Sequence, residues 1–288
     1  MRILLTGAGG QLATDLAKTL SQEELIPLSH AQLDIVDTTQ VKAAVKTAQP
    51  DVVINTAAFH RVDDCETEVG RAIAVNAHGV RNLALACQQT GAALLHLSTD
   101  HVFGGSKAQP YSEEDIPRPV NIYGVSKLLG EVMIRHILDR SYIVRSSGLF
   151  GVAGASGKGG NFVRTMLRLA GEGGPIQVVN DQCFSPTSTA DLASKIAWLI
   201  TTTNYGIWHI TNAGEASWYD FAAKIFQLAN LRPNLSPTTT ADFGAKARRP
   251  SYSVLDHGRL RALGVDNLPP WEDALSRYLT QIEVVSPV

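Results

Sequence analysis

The sequence predicts an α/β fold in which a doubly wound parallel sheet is followed by a smaller C-terminal lobe. Three observations carry that expectation: short apolar runs alternating with amphipathic stretches, a glycine loop directly after the first run, and a loss of regularity beyond residue 150. The 288 residues suffice for one large α/β domain, or for such a domain with a second lobe, without a disulfide scaffold.

The apolar runs at residues 3–5, 25–28, 52–54, 94–97 and 142–144 have the length of buried strands. Between them, residues 11–20, 39–48, 72–89 and 123–138 are amphipathic stretches, each long enough to cross a sheet face. Parallel strands need such crossovers, so the alternation reads as a βαβ series. After Phe150 come a glycine-rich stretch from Gly151 to Gly160, a helix over 161–170 and an isolated strand over 176–179. Helices follow over 191–200 and 218–228, and a Pro- and Thr-rich segment over 233–249 is expected to meander on the surface. The sheet domain is therefore placed at 1–150, rejoined by about 187–210, with the second lobe mainly at 151–288. The chain has no internal repeat or low-complexity tract.

Hydrophobic residues make up 44% and charged residues 18%, and a net charge of −2 gives no electrostatic reason to expect nucleic acid or anionic membrane partners. No apolar run approaches the roughly 18 residues of a membrane span, and the N-terminus enters a strand at Arg2 without a signal peptide's apolar region. A cytoplasmic protein is expected. Cys65, Cys87 and Cys183 are odd in number, with no CxxC pair and no zinc spacing, and read as free thiols.

The opening MRILLTGAGGQLA places Gly7, Gly9 and Gly10 between a strand and a helix. Glycine lets a backbone turn there and approach a pyrophosphate, which then meets exposed N–H groups at the positive end of the helix. Ala13 replaces the third glycine of this Rossmann-like spacing and is small enough to keep helix and sheet close. Beyond the second run, where a site selective for NAD offers an Asp or Glu to the adenosine ribose, the chain has Ser29 and His30. No carboxylate repels a 2′-phosphate there and both residues can hydrogen-bond one, so NADPH is expected, with NADH as the alternative. The plain alternative is that Ser29 and His30 only make a turn.

Tyr123 and Lys127 stand four residues apart on one amphipathic stretch, so phenol and ammonium share a face. A lysine cation favours the ionised phenol and eases proton transfer, and it can also hold a nicotinamide ribose. Such a pair arises often by chance. Its weight comes from Ser98-Thr99-Asp100, which follows a strand and so stands at the carboxyl edge of the sheet, where Thr99 can hydrogen-bond a substrate carbonyl.

With these residues the chain resembles the extended short-chain dehydrogenases/reductases, and within them the dTDP-4-dehydrorhamnose reductase family, over nearly its whole length. The matching elements occur in order: TGAGGQLA, Asp34-Ile35, NTAAFHRVDDCE from Asn55, STDHVF from Ser98, NIYGVSK from Asn121, GNFVRTMLRLA from Gly160, NDQCFSPT from Asn180 and ARRPSYSVLD from Ala247. The resemblance implies that Gly7, Gly10, Gln11, Leu12, Asp34, Ile35, Ala57, Ala58, Phe59 and His60 line the cofactor, with Asp34 and Ile35 near the adenine. It further implies that Thr99 orients the keto oxygen, Tyr123 donates the proton, Lys127 supports tyrosine and cofactor, and hydride reaches C4 of the sugar. Asp100 and Asn161 would contact the substrate, a nucleotide-sugar with dTDP the expected carrier, and Arg249 its diphosphate, with Arg248 facing solvent.

Two departures bear on specificity. The family carries a tryptophan that positions the sugar where this chain has Gly148, so Trp208 or Trp218 is a candidate to fill the gap. Some members form metal-bridged dimers through glutamates, whereas Asp15 and the Ala190-Asp191 region offer none, so no metal is expected and the chain is a monomer or homodimer. Related dehydratases use Thr-Asp-Glu where this chain has Thr99-Asp100-His101, which disfavours dehydration. The rivals are a sugar-nucleotide epimerase that recycles NAD, and a non-catalytic subunit like the regulatory subunit of methionine adenosyltransferase.

Overall fold

The structure, a computed structural model, describes residues 1–153 and 160–284; residues 154–159 of the expected glycine-rich stretch lie outside the described residues, as do 285–288. Apolar alternation sets the first half. It runs β1 (Arg2–Thr6), α1 (Gln11–Thr19), β2 (Glu24–Leu28), α2 (Thr38–Ala48), β3 (Val52–Asn55), α3 (Val62–Cys65), α4 (Val69–Ile73), α5 (Val80–Thr90), β4 (Ala93–Thr99), α6 (Ile122–Ile137) and β5 (Ser141–Ser146). The second half adds β6 (Leu149–Phe150), α7 (Phe162–Glu172), β7 (Ile176–Val179), β8 (Cys183–Phe184), β9 (Thr187–Ser188), α8 (Thr189–Leu199), β10 (Gly206–His209) and β11 (Ala216–Ser217). It closes with α9 (Trp218–Leu228), β12 (Leu235–Thr238), α10 (Thr240–Phe243), α11 (Gly258–Ala262) and α12 (Trp271–Gln281).

Among the described residues the central sheet is six-stranded and parallel, in the order β10-β5-β4-β3-β1-β2. Side chains alternate along each strand, so Ile3, Leu5, Ile54, Leu95 and Val144 pack one face against α1 and α8, while Leu4, Val53, Leu94 and Ile143 pack the other against α2, α5 and α6. The chain leaves β1 toward β2 and then returns to β3 on the other side. Ligands bind at such a switch point, outside the carboxyl ends of the strands. A separate core under α7, α9 and α12, built on Phe150, Phe184, Phe221, Trp271 and Tyr278, forms the second lobe. No helix among the described residues is long and apolar enough to cross a membrane.

Residues 72–89 lie in one unbroken helical run, in which a π-helical segment over Ala74–Gly79 joins α4 to α5. Two expectations need correction. The strand over 176–179 is not isolated, since β7 pairs in parallel with β12, which lies inside the segment expected to meander. Each strand has only four residues and the partners are far apart in sequence, so neither carries a local signal of the other. The three cysteines are free, with Cys65 and Cys87 buried and Cys183 half-buried.

Candidate active site

One cleft of about 1240 Å³ runs along the carboxyl edge of the sheet from the glycine loop to the second lobe. Of the residues named from sequence for cofactor, substrate or catalysis, all but Gly9, Ser29 and Trp208 line it. Gly7 turns with φ +78°, and a Cβ there would stand 2.7 Å from Ala57 N and 2.8 Å from Thr56 Oγ1, so the loop has room for glycine alone. Gly10 precedes α1 without a side-chain cap, leaving that helix end open toward the cleft. Gln11 Nε2 donates to Leu149 O at 3.2 Å, whereas its buried Oε1 meets no partner among the described residues.

Beside this loop the backbone of residues 57–60 is held from beneath. Asn55 Oδ1 accepts from Ala57 N at 3.1 Å, and Asn76 binds both sides of Phe59, Oδ1 accepting from its N–H and Nδ2 donating to its carbonyl, each at 2.9 Å. Asn76 lies in the π-helical segment, and the same Nδ2 donates to Ser126 Oγ, which donates to Tyr123 O. One buried amide thus ties the residue 57–60 loop to α6. Sequence reading missed Asn76, although a polar residue inside an apolar helical stretch is the available signal.

At the far end Ile35 is buried, and Asn82 Nδ2 donates to its carbonyl at 3.1 Å. Asp34 lines the cleft while its Oδ1 accepts from Val36 N at 3.0 Å, and Asp37, not Asp34, caps α2. His30 lines the cleft. Ser29 does not: its hydroxyl donates to Gln32 Oε1 at 2.8 Å and its carbonyl accepts from Leu33 N, the plain turn that competed with a phosphate contact.

The residues expected to be catalytic, Thr99, Tyr123 and Lys127, meet where β4 ends. Thr99 caps the turn Asp100–Val102 and directs its one proton to Asp100 Oδ1 at 3.0 Å. Asp100 also accepts from Ser147 at 2.8 Å and Ser253 at 2.6 Å, so three hydroxyls from distant parts of the chain satisfy one buried carboxylate. Ser98 turns away to donate to Glu131, which holds Arg145 in a buried ion pair at 2.6 Å. Asn121 caps α6 by accepting from Gly124 N at 2.7 Å, and this sets Tyr123 and Lys127 on successive turns facing the cleft. His101 meets the Tyr123 ring edge-on at 5.5 Å.

The electrostatics differ from the sequence reading. Lys127 is buried and its Nζ donates to Leu97 O at 2.6 Å, with His96 Nε2 at 3.2 Å, so the ammonium is anchored to the end of β4. Burial pulls Lys127 down to about 7, opposed by Glu131. The Tyr123 phenol is pushed up rather than down: burial acts first, Thr99 opposes it, and Asp100 and Cys65 add to the rise. Burial and the Lys127 charge hold His96 well below the ordinary histidine range, and its Nδ1 meets Asn55 Nδ2 at 3.0 Å.

The second lobe closes the cleft. Asn161 caps α7, and its Nδ2 donates to Gly151 O and Tyr278 Oη, so both ends of its amide are engaged. Arg249 reaches across to Asp63 in α3, Nη2 at 2.7 Å and Nη1 at 3.2 Å, while Arg248 is exposed. Trp208 is buried in β10 away from the cleft, whereas Trp218 lines it. Asp15 accepts from Thr189, and Asp191 pairs with Arg277 at 2.7 Å.

The model of the RmlD substrate binding domain matches residues 1–284. The spore coat polysaccharide biosynthesis protein SpsK of Bacillus subtilis is 41% identical over 282 residues, covering 97% of each chain. The dTDP-4-dehydrorhamnose reductase of Streptomyces griseus is 41% identical, covering 96% of this chain and 92% of its own. A crystal structure of the dTDP-4-dehydrorhamnose reductase of Bacillus anthracis in complex with NADP superposes with a TM-score of 0.93 at 42% identity, covering 97% of this chain and 99% of that one.

Proposed function

Because the chain belongs to the RmlD substrate binding domain family, we propose that it is an NADPH-dependent reductase of a dTDP-linked 4-keto-6-deoxy sugar, with dTDP-4-dehydro-L-rhamnose to dTDP-L-rhamnose the leading case. The observation that carries this reading is the meeting of Thr99, Tyr123 and Lys127 in the cleft that the glycine loop opens. Residues 1–150 with about 187–210 are assigned to the cofactor, and 151–288 mainly to the sugar-nucleotide.

The site fits a dinucleotide on its own geometry. The Gly7 cradle leaves no space for a side chain, and Gln11 Oε1 and Ser146 Oγ are buried without partners among the described residues, as donors or acceptors awaiting a polar ligand are. We assign Gly7, Gly10, Gln11 and Leu12 to the pyrophosphate, Asp34 and Ile35 to the adenosine end, and the residue 57–60 loop to the wall between them. When bound, NADPH supplies the hydride.

The chain's own residues manage the proton. The phenol's raised pKa keeps Tyr123 protonated through the neutral range, so it meets a keto oxygen as a donor and releases its proton only as negative charge grows there. Lys127, one helical turn away, supplies the cationic charge that makes this release easier when it is protonated. Thr99 gives its one proton to Asp100, which Ser147 and Ser253 also hold, so turning that proton to the reacting oxygen lines it up with the phenol and leaves Asp100 two donors.

Oxidation of NADPH, followed by its absorbance with dTDP-, UDP- and GDP-linked 4-keto-6-deoxy sugars, tests the reading. Stoichiometric consumption with the dTDP sugar is expected. Interconversion of sugars with no net NADPH loss would identify an epimerase, and no turnover together with copurification of a synthetase would identify a binding subunit.

A further inference from the structure

Gly148 turns left-handed with φ +53° between Ser147, which bonds Asp100, and β6. A Cβ added there would lie 2.2 Å from Cε2 and 2.5 Å from Cδ2 of Phe184. The space that a side chain at position 148 would enter is therefore already filled, and by a ring that arrives from the second lobe.

That ring is firmly held. Phe184 is 3% exposed and ends β8, which pairs antiparallel with β11, and Cys183 beside it bonds both Ser251 and Ser253 through its backbone at 2.8 Å. Its face stacks on Trp218 at 3.9 Å and 21°, and Trp218 contacts Phe162 at 4.7 Å on α7. Trp218 is only half-buried, and it lines the cleft with Phe184. Ser253, on the segment that β8 anchors, donates to the Asp100 carboxylate that also holds Thr99. The aromatic stack and the reactive hydroxyls are thus linked through a short series of bonds.

We propose that the Phe184–Trp218 pair is the specificity-determining wall of the cleft, Phe184 filling the place of a side chain at residue 148 and bracing Trp218, whose half-buried ring packs against the apolar face and C6 methyl of a 6-deoxy sugar. Trp218 offers the apolar area, Phe184 fixes where that ring stands, and a C6 hydroxyl pressed against the pair would lose its water without gaining a partner. The proposal rests on the nucleotide-sugar reading above and adds which part of the substrate is selected and by what.

The test compares unaltered protein with Phe184→Ala, Phe184→Leu and Gly148→Ala, using a dTDP-linked 4-keto-6-deoxy sugar and its 6-hydroxy counterpart, with NADPH affinity and melting temperature as controls on folding. A lost apolar contact in a pocket is worth at least about tenfold in discrimination. KM for the 6-deoxy sugar should rise roughly tenfold in Phe184→Ala and about threefold in Phe184→Leu, with kcat and NADPH affinity little changed. Preference for the 6-deoxy sugar should fall in step. Gly148→Ala should raise the same KM, because its Cβ must displace the ring. A folded Phe184→Ala or Phe184→Leu that keeps sugar KM and preference within twofold overturns the wall alone, and so does an unaffected Gly148→Ala. Absence of turnover by the unaltered protein overturns the reading and the wall together.

Discussion

The two sides of the cleft are built by different means. On the sheet side, Thr99, Tyr123 and Lys127 sit at the ends of a seven-residue strand and a 16-residue helix, and each is tied within its own element or the one beside it. On the lobe side, the wall consists of two-residue strands, a helix cap at Asn161 and an ion pair between Asp63 and Arg249, partners 186 positions apart. Regular elements fix positions with many shared backbone bonds, whereas the lobe relies on a few side-chain contacts between distant segments. The difference separates chemistry from selection: substitutions on the sheet side should change kcat, and those on the lobe side should change KM.

The sharpest test of that division is Tyr123→Phe. Removing the phenol proposed to protonate the keto oxygen should lower kcat by about 10²-fold or more, with NADPH affinity held within twofold. Single-turnover NADPH oxidation beside a fluorescence titration of NADPH measures both. A fall in cofactor affinity with kcat preserved would place Tyr123 among binding residues and blur the division.

The next largest effect concerns the cost of keeping Lys127 buried. Its pKa falls from 10.5 unfolded to about 7 folded, burial being the main cause and Glu131 opposing it. Below pH 7 both states hold the proton; between 7 and 10.5 the unfolded chain holds more, so stability rises with pH through this window. Lys127→Met removes that slope. Between pH 6 and pH 9, urea unfolding should show the unaltered protein gaining about 2–3 kcal/mol relative to the variant. Equal dependence on pH in the two proteins would mean that Lys127 keeps an ordinary pKa in the fold.

How much of this was legible in the sequence follows the same line between the two sides. The strand runs, the crossover helices and the glycine loop carry local periodicities, so the parallel sheet and the residues at its edge were readable. The lobe was not. β12 pairs with β7, Phe184 fills the place beside Gly148, and Arg249 meets Asp63, each across a gap in sequence that periodicity does not span. Asn76 was hidden for another reason: a π-helical segment shifts the helical register, so an amide inside an apolar run serves the residue 57–60 loop instead of facing solvent. The phenol's direction of shift was not readable because spacing places Lys127 near Tyr123 without revealing the burial that raises the phenol and lowers the lysine.

On the lobe side, Arg249 gives opposite expectations for its two partners. Arg249→Ala should raise KM for the sugar-nucleotide roughly tenfold, the effect of losing a charge-assisted hydrogen bond to phosphate. Asp63→Asn should lower it about threefold, since the guanidinium would no longer be paired with a carboxylate that competes with a diphosphate. Steady-state kinetics with varied sugar-nucleotide at saturating NADPH separate the two, and kcat should stay within threefold in both. A rise in KM for both variants would mean that the ion pair only holds the lobe closed.

The smallest effect tests the adenosine end, where two neighbouring residues part company. Ser29 binds Gln32 and faces away from the cleft, while His30 lines it. Ser29→Ala should therefore leave the ratio of kcat/KM for NADPH over NADH within twofold. His30→Ala should lower that ratio about threefold to fivefold, the worth of roughly one neutral hydrogen bond to a 2′-phosphate. The comparison is made at one ionic strength, because phosphate recognition weakens as salt rises. If neither variant shifts the ratio, preference for NADPH rests on the missing carboxylate alone, and introducing one with His30→Asp should then reverse it by repelling the phosphate.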